Sequence, residues 1–349
     1  MPQTVQITSP RCVEVIDQPA PELGPGQVRV RTSYSGISAG TELTAYRGSN
    51  PYLTRSWDPE LRLFVDDAGG LSYPVAGLGY SEVGQIVEAA PDVADDPGLP
   101  PVGAQVWGIW GHRGEAVLPA EQLRGCTLPE GLDPVAATFA RVGAVALNAV
   151  LAADVHLSET VAVFGQGVLG LLTTRLVRLS GGTVVAIDAV PGRLEKALEY
   201  GAGAVVDARD ASAGPQLRLL TDGRGADVAI EISGSYPALH EAIRGVAVNG
   251  RVVAAGFYQG DGVGLRLGDE FHHNRVRLIC SQIGGVPPDV AGRWSQTRLN
   301  QTFLRLAVDR QVDLLGLVTH VIPVEEAAAA YRMLDRRPHE ALQVVLKFP

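Results

Sequence analysis

The chain has 349 residues, 46% of them hydrophobic, with 38 acidic against 29 basic side chains and a formal net charge of −9. That is long for one domain and apolar enough for two cores, while the acidic balance and the lack of any Lys/Arg run argue against nucleic acid or an anionic membrane surface as partner. No apolar run approaches the roughly 20 residues of a membrane span, the opening MPQTVQITSP lacks a basic start and an apolar stretch, and Cys12, Cys126 and Cys280 are too scattered for a disulfide framework or a cysteine-rich zinc site. A cytoplasmic protein is expected.

In chain order, residues 4–7, 12–16 and 27–33 alternate or run apolar, broken by Pro19-Ala20-Pro21 and Gly24-Pro25-Gly26, which predicts a small antiparallel, partly open barrel continued by 84–89 and 103–107. Between them, 48–73 is rich in Pro, Asp, Gly and aromatic residues and reads as one long irregular segment. Loops of that length are uncommon unless functional, so a cover over a cleft is expected. Residues 134–151 then turn helical and rich in small side chains.

The stretch VAVFGQGVLG, 161–170, organises the second half of the chain. Its apolar, β-branched start predicts a strand, and the residues from Leu171 to Leu179 carry helical spacing without proline. In the turn Gly165-Gln166-Gly167-Val168-Leu169-Gly170, the first glycine permits a tight bend, the second lets a pyrophosphate approach the backbone, and the third lets the helix pack against the strand. The helix N-terminus offers N–H groups and a positive dipole end to phosphates. Eighteen positions after Gly170, Asp188 closes a second apolar strand, 183–187. A carboxylate there accepts from the adenosine ribose hydroxyls and repels a 2′-phosphate, which favours NAD(H) over NADP(H).

Helix and strand then alternate. Residues 191–200, 214–220 and 237–246 read as helices, and 204–206, 227–232, 251–255 and 276–281 as strands. This predicts an α/β, doubly wound parallel sheet. Ligands on such sheets sit at the carboxyl ends of the strands, here Gly165, Asp188 with Arg193 just beyond it, Ser233, Gly234, Gly256, Phe257 and Ser281. An amphipathic helix over 294–308, an extended return over 311–321, a helix over 324–334 and a strand over 342–348 finish the chain. Phe271-His272-His273 precedes the last sheet strand; adjacent histidines on a strand face opposite ways, so at most one faces a site.

YSGISAGTEL at 34–43 with YRG at 46–48, GLGYSEVG at 77–84, GAQV at 103–106, LPEG at 128–131 and the glycine turn stand in an order that resembles the medium-chain dehydrogenase/reductase superfamily of zinc alcohol, polyol and threonine dehydrogenases. The resemblance spans essentially the whole chain. It implies a Rossmann domain, 151–292, inserted into a mostly antiparallel, partly open β-barrel (GroES-like) catalytic domain, 1–150 with 293–349 returning to it, and an active site in the cleft between them. It further implies a homodimer, with 251–255 and 276–281 near the subunit contact. The zinc positions break the pattern. Ser38 stands where zinc-dependent members have cysteine, Tyr80-Ser81 where they have His-Glu, and Arg141 where they have glutamate or cysteine, so no zinc is expected.

Without a Lewis acid, hydrogen bonds and a general acid/base must manage the charge on a reacting oxygen. Tyr80, Arg141, Ser38 and Thr41 are the expected catalytic set, the last by resemblance to the hydroxyl that starts the family's proton relay, with Glu42 or Glu82 as final proton acceptor. Glu42, Glu82, Trp110, His112 and His272 are candidate substrate contacts, suited to a polar, cyclic or sugar-like small molecule. A Tyr80 that only fills the vacated volume and an Arg141 paired with Glu42 or Glu82 are equally open at this level. The leading expectation is a zinc-independent, NAD(H)-dependent enzyme interconverting a secondary alcohol and a ketone. The alternatives are an enoyl or quinone reductase, a redox-neutral epimerase and a non-catalytic NAD(H)-binding protein.

Overall fold

A computed structural model describes residues 1–19, 21–66, 69–209 and 212–349. Ala20 in the first proline break and Asp67 and Ala68 in the long segment lie outside the described residues. The chain divides into two compact units, Met1–Arg141 with Leu304–Pro349, and Val142–Phe303. The divisions fall at 141/142 and 303/304, inside the helices Ala140–Ala153 and Gln296–Val308, where the resemblance implies 150/151 and 292/293.

The first unit begins with β1 (Gln3–Ser9), β2 (Cys12–Asp17) and the long β3 (Gln27–Ile37), followed by helix α1 (Ala39–Arg47). Helix α1 stops where Gly48 takes a left-handed conformation, φ 78°, which favours glycine. The segment expected to be irregular contains a hairpin, β4 (Arg55–Asp58) with β5 (Leu63–Asp66), in which Phe64 packs edge-on against Tyr52 and Trp57. Aromatic pairing across strands organises it despite its Pro and Asp content. Then come β6 (Val75–Ala76), β7 (Glu82–Ala89), β8 (Gln105–Gly108), β9 (Glu115–Pro119) and α2 (Pro134–Ala137), whose N-cap Asp133 accepts the Val135 N–H at 2.7 Å. Helix α3 (Ala140–Ala153) leads into the second unit.

That unit is the predicted doubly wound sheet. Strands β10 (Thr160–Phe164), β11 (Thr183–Asp188), β12 (Ala204–Asp207), β13 (Ala226–Glu231), β14 (Val246–Ala254) and β15 (Arg277–Cys280) pair in parallel in the order 12-11-10-13-14-15. Helices α4 (Val168–Leu179), α5 (Pro191–Glu199), α6 (Ala213–Leu219), α7 (Tyr236–Gly245) and α8 (Gln296–Val308) complete the alternation. Strands covered on both faces read as unbroken apolar runs, and Val161, Ala162, Val163 and Phe164 are buried accordingly. The order places β10 and β13 at the centre, where strand order reverses.

The chain closes the first unit with β16 (Val318–Pro323), α9 (Ala327–Arg336) and β17 (Gln343–Lys347). The return is strand only from Val318; a short 3-10 turn, Leu315–Leu317, precedes it. Strand β17 pairs antiparallel with β3, giving a mostly antiparallel sheet in the order 16-17-3-7-8, with β9 also on β3 and both ends open. Ala327, Ala330, Tyr331 and Leu334 of α9 join Val5, Ile7, Ile37, Leu43, Val344 and Leu346 in one core.

Candidate active site and nucleotide cradle

In the second unit the three glycines have separate steric reasons. Gly165 bends at φ 91°, and a Cβ there would lie 2.7 Å from the Ser233 Cβ. Gly167 caps α4, and a Cβ would meet only the Arg193 guanidinium, at 3.9 Å, so its approach side is open. Gly170 packs so tightly that a Cβ would stand 1.7 Å from the Gly165 carbonyl oxygen. Val168 and Leu169 are half-buried in the first turn of α4. Asp188 ends β11, and its carboxylate accepts the Gln166 N–H at 2.5 Å and the Val190 N–H at 2.8 Å. The Gln166 side chain turns inward, donating to the Val163 carbonyl at 2.9 Å and accepting from Thr174 Oγ1 at 3.0 Å; only its backbone belongs to the cradle.

Glu231, at the end of β13, organises the other half and was not read from the sequence. It is fully buried, and its carboxylate accepts the N–H groups of Ser233 (2.9 Å) and Gly234 (3.1 Å) and the hydroxyls of Ser233 and Tyr258. Burial raises its pKa, outweighing these hydrogen bonds. The two turns meet closely: a Cβ on Gly256 would lie 2.2 Å from the Gly234 nitrogen, and one on Gly234 would lie 2.7 Å from the Phe257 carbonyl oxygen. An acid closing an apolar strand just before Ser-Gly is the signal that would have found it. Ser281 is buried, donating its N–H to the Ala254 carbonyl and accepting from Asn148 Nδ2 at 3.4 Å. His272 is exposed and sits with His273 on a helical turn, not a strand, with ring centroids 5.4 Å apart; the opposite-face reading therefore does not apply.

In the first unit, Ser38 caps α1 without bonding the helix through its side chain; its hydroxyl is paired with the Tyr80 phenol instead. Thr41 also hydrogen-bonds that phenol. Tyr80 keeps partial exposure, yet loss of hydration pushes its pKa up, so it stays a neutral phenol at physiological pH. Burial pulls the half-buried Arg141 guanidinium below its ordinary value, and the charge of an ionised Tyr80 opposes that shift. Arginine remains a cation throughout.

The remaining candidates lie inside the unit. Glu42 and Glu82 are each 1% exposed and His112 is 0% exposed, so all three are enclosed by protein groups. Trp110 is buried, with its indole N–H on Thr32 Oγ1 at 2.8 Å. The two carboxylates named as alternative partners of Arg141 are engaged as follows: Glu42 meets His112 at 2.8 Å and the Tyr331 hydroxyl, and Glu82 accepts from Ser35 at 2.9 Å and from the Trp110 N–H at 2.8 Å. Buried carboxylates take the nearest donors available, and sequence spacing could not show which those were. Among the described residues no group of three or more His, Cys, Asp or Glu is placed to hold a metal ion. Ser38, Tyr80 and Arg141 offer two neutral hydroxyls and a cation, a donor set unsuited to zinc.

Known proteins bear on this arrangement. A model of the zinc-binding dehydrogenase family matches residues 168–296. D-guloside 3-dehydrogenase of Shigella flexneri is 26% identical over 349 residues, 98% of each chain. A 2-desacetyl-2-hydroxyethyl bacteriochlorophyllide A dehydrogenase of Cereibacter sphaeroides is 25% identical over 99% of this chain and 93% of its own. Among solved structures, galactitol-1-phosphate dehydrogenase from Escherichia coli superposes with a TM-score of 0.81 at 20% identity over 99% of both chains. The ordered motifs, the parallel sheet with its glycine turn, the open antiparallel sheet and these similarities agree: the chain has the fold of, and resembles along its whole length, the medium-chain dehydrogenase/reductase superfamily, without the zinc-ligand residues.

Proposed function

We propose that this protein is a zinc-independent, NAD(H)-dependent oxidoreductase that interconverts a secondary alcohol and a ketone on a polar, sugar-like small molecule. The observation that carries the reading is the Tyr80 phenol, hydrogen-bonded by Ser38 and Thr41 with the Arg141 cation acting on it. The D-guloside 3-dehydrogenase relative supports a ring hydroxyl as the reacting group.

NAD, when bound, supplies the hydride acceptor or donor. Gly165, Gly167 and the α4 N-terminus would take its pyrophosphate, and Asp188 its adenosine ribose. At the reacting oxygen, a Tyr80 held neutral donates a hydrogen bond to a carbonyl or gives its proton to the forming alcohol. The proton is replaced from solvent through Ser38 Oγ, already paired with the phenol, which accepts one proton as it passes its own on. Arg141 balances negative charge on the oxygen, the task a metal performs in zinc-dependent relatives.

Strand β15 ends the parallel sheet with one edge unpaired among the described residues and Leu278 44% exposed, which supports pairing with a second copy. Turnover of NAD+ with a panel of glycosides and polyols tests the activity. With a substrate in hand, Tyr80→Phe should lower kcat by about ten- to a thousandfold while NADH affinity stays put. A variant as fast as the starting enzyme removes Tyr80 from the chemistry.

A further inference from the structure

Behind Tyr80 lies a chain of buried polar groups that the proposed chemistry leaves unused. His112 is 0% exposed, between Glu42 and Glu82 at 1% each. Its Nε2 lies 2.8 Å from Glu42 Oε2, and its Nδ1 lies 2.6 Å from Ser35 Oγ. With Glu82 ionised, Ser35 donates its one hydroxyl proton to Glu82 Oε1 at 2.9 Å, and toward Nδ1 it then only accepts. Nδ1 therefore carries a proton. Nε2 faces a carboxylate oxygen and carries one too, which makes the ring an imidazolium.

The charge count agrees. Two buried carboxylates without a counter-ion would each cost several kcal/mol, and no Lys or Arg side chain is recorded in hydrogen-bond or ion-pair contact with either among the described residues. The groups facing the imidazole are Glu42 from α1, Glu82 from β7, Ser35 from β3 and Tyr331 from α9, whose ring stands edge-on at 6.5 Å. Burial alone would depress the imidazole pKa, but the charge and hydrogen bond of Glu42 with the charge of Glu82 raise it on balance. Burial pushes Glu82 up, and the charge of His112 with the hydrogen bonds from Trp110 and Ser35 act against that shift, favouring the carboxylate.

The cluster also grips both segments that carry the reacting hydroxyls. Glu42 Oε1 accepts the Ser38 backbone N–H at 2.7 Å. On the other side Gly79, just before Tyr80, lies so close that a Cβ would stand 2.7 Å from Glu82 Oε1 and 2.8 Å from His112 Cε1. We propose that Glu42, His112 and Glu82 form a buried ion triad with His112 in the imidazolium form, and that His112 is a positioning residue holding the Ser38 and Tyr80 hydroxyls in register. The positioning role rests on the reading of Tyr80 as the acid; the protonation state does not.

The test uses the full-length chain labelled with 15N-histidine, its ring nitrogens recorded between pH 6 and 9, with His112 assigned by its loss in His112→Gln. Two protonated nitrogens should persist at pH 8, where an ordinary imidazole is neutral. A neutral tautomer at pH 7 overturns the triad. Glu82→Gln should lower the His112 midpoint by about one pH unit or more, and an unmoved midpoint overturns the coupling. For positioning, the 13Cζ resonance of Tyr80, assigned with Tyr80→Phe, should shift in folded His112→Gln; an unchanged signal refutes that role. Full turnover by Tyr80→Phe would sink the catalytic reading while leaving the histidine spectra as they are, so the two failures are distinguishable.

Discussion

On the proposed reading Asp188 selects the nucleotide, and its surroundings set the size of the effect. Two carboxylate oxygens offer about four acceptor positions. The Gln166 and Val190 N–H groups occupy two of them, which leaves two for the ribose hydroxyls of NAD. NADP puts a phosphate there, with about 1.5 to 2 negative charges. At about 4 Å, one pair of unit charges costs about 1 kcal/mol in water and about 4 kcal/mol at an effective permittivity near 20. Asp188 is half-buried, so a net repulsion of about 2–4 kcal/mol is reasonable, or roughly 30- to 700-fold in affinity. Calorimetry with NADH and NADPH measures that ratio directly. Asp188→Ser combined with Ala189→Arg should reverse it, and the melting temperature should fall slightly, because one backbone N–H loses its acceptor at a cost of about 1 kcal/mol. Equal affinities in the starting protein would refute the assignment.

Three further outcomes are expected from the geometry. Gly170→Ala puts a methyl group 1.7 Å from the Gly165 carbonyl, so α4 must move away from the turn; a loss of about 1–3 kcal/mol is expected in denaturant unfolding, with weaker nucleotide binding, and an unchanged midpoint contradicts the close packing. Elemental analysis after purification should find far less than one zinc per chain, whereas about one per chain would show that a donor set other than Ser38, Tyr80 and Arg141 binds it. Sedimentation at micromolar concentration should show a dimer that Leu278→Asp dissociates; a monomeric starting protein would count against pairing through β15.

Local chemistry made the nucleotide half legible. A tight turn needs a left-handed residue, a close helix needs a missing Cβ and a parallel sheet needs apolar strands, so Gly165, Gly170 and β10 through β15 could be read from residue type and spacing. The positions of Ser38, Tyr80 and Arg141 were legible through motif order. Helix α1 was not: its apolar positions are interrupted by Gly40, Thr41 and Glu42, and it is held by packing against α9, nearly 300 residues away in sequence. The partners of Glu42, Glu82, His112 and Trp110 were not legible for a related reason, since residue type alone does not show which polar groups a side chain will meet. Glu42 finds His112 and Tyr331, at separations of 70 and 289 residues, only once β3, β7, α1 and α9 have packed. Glu231 likewise meets Tyr258 only when β13 and β14 lie side by side. Residue type and spacing set which backbone conformations and which sheet were possible. Tertiary packing decided which charges are buried together, because burying a charge is tolerated only where a partner from elsewhere in the chain arrives to meet it.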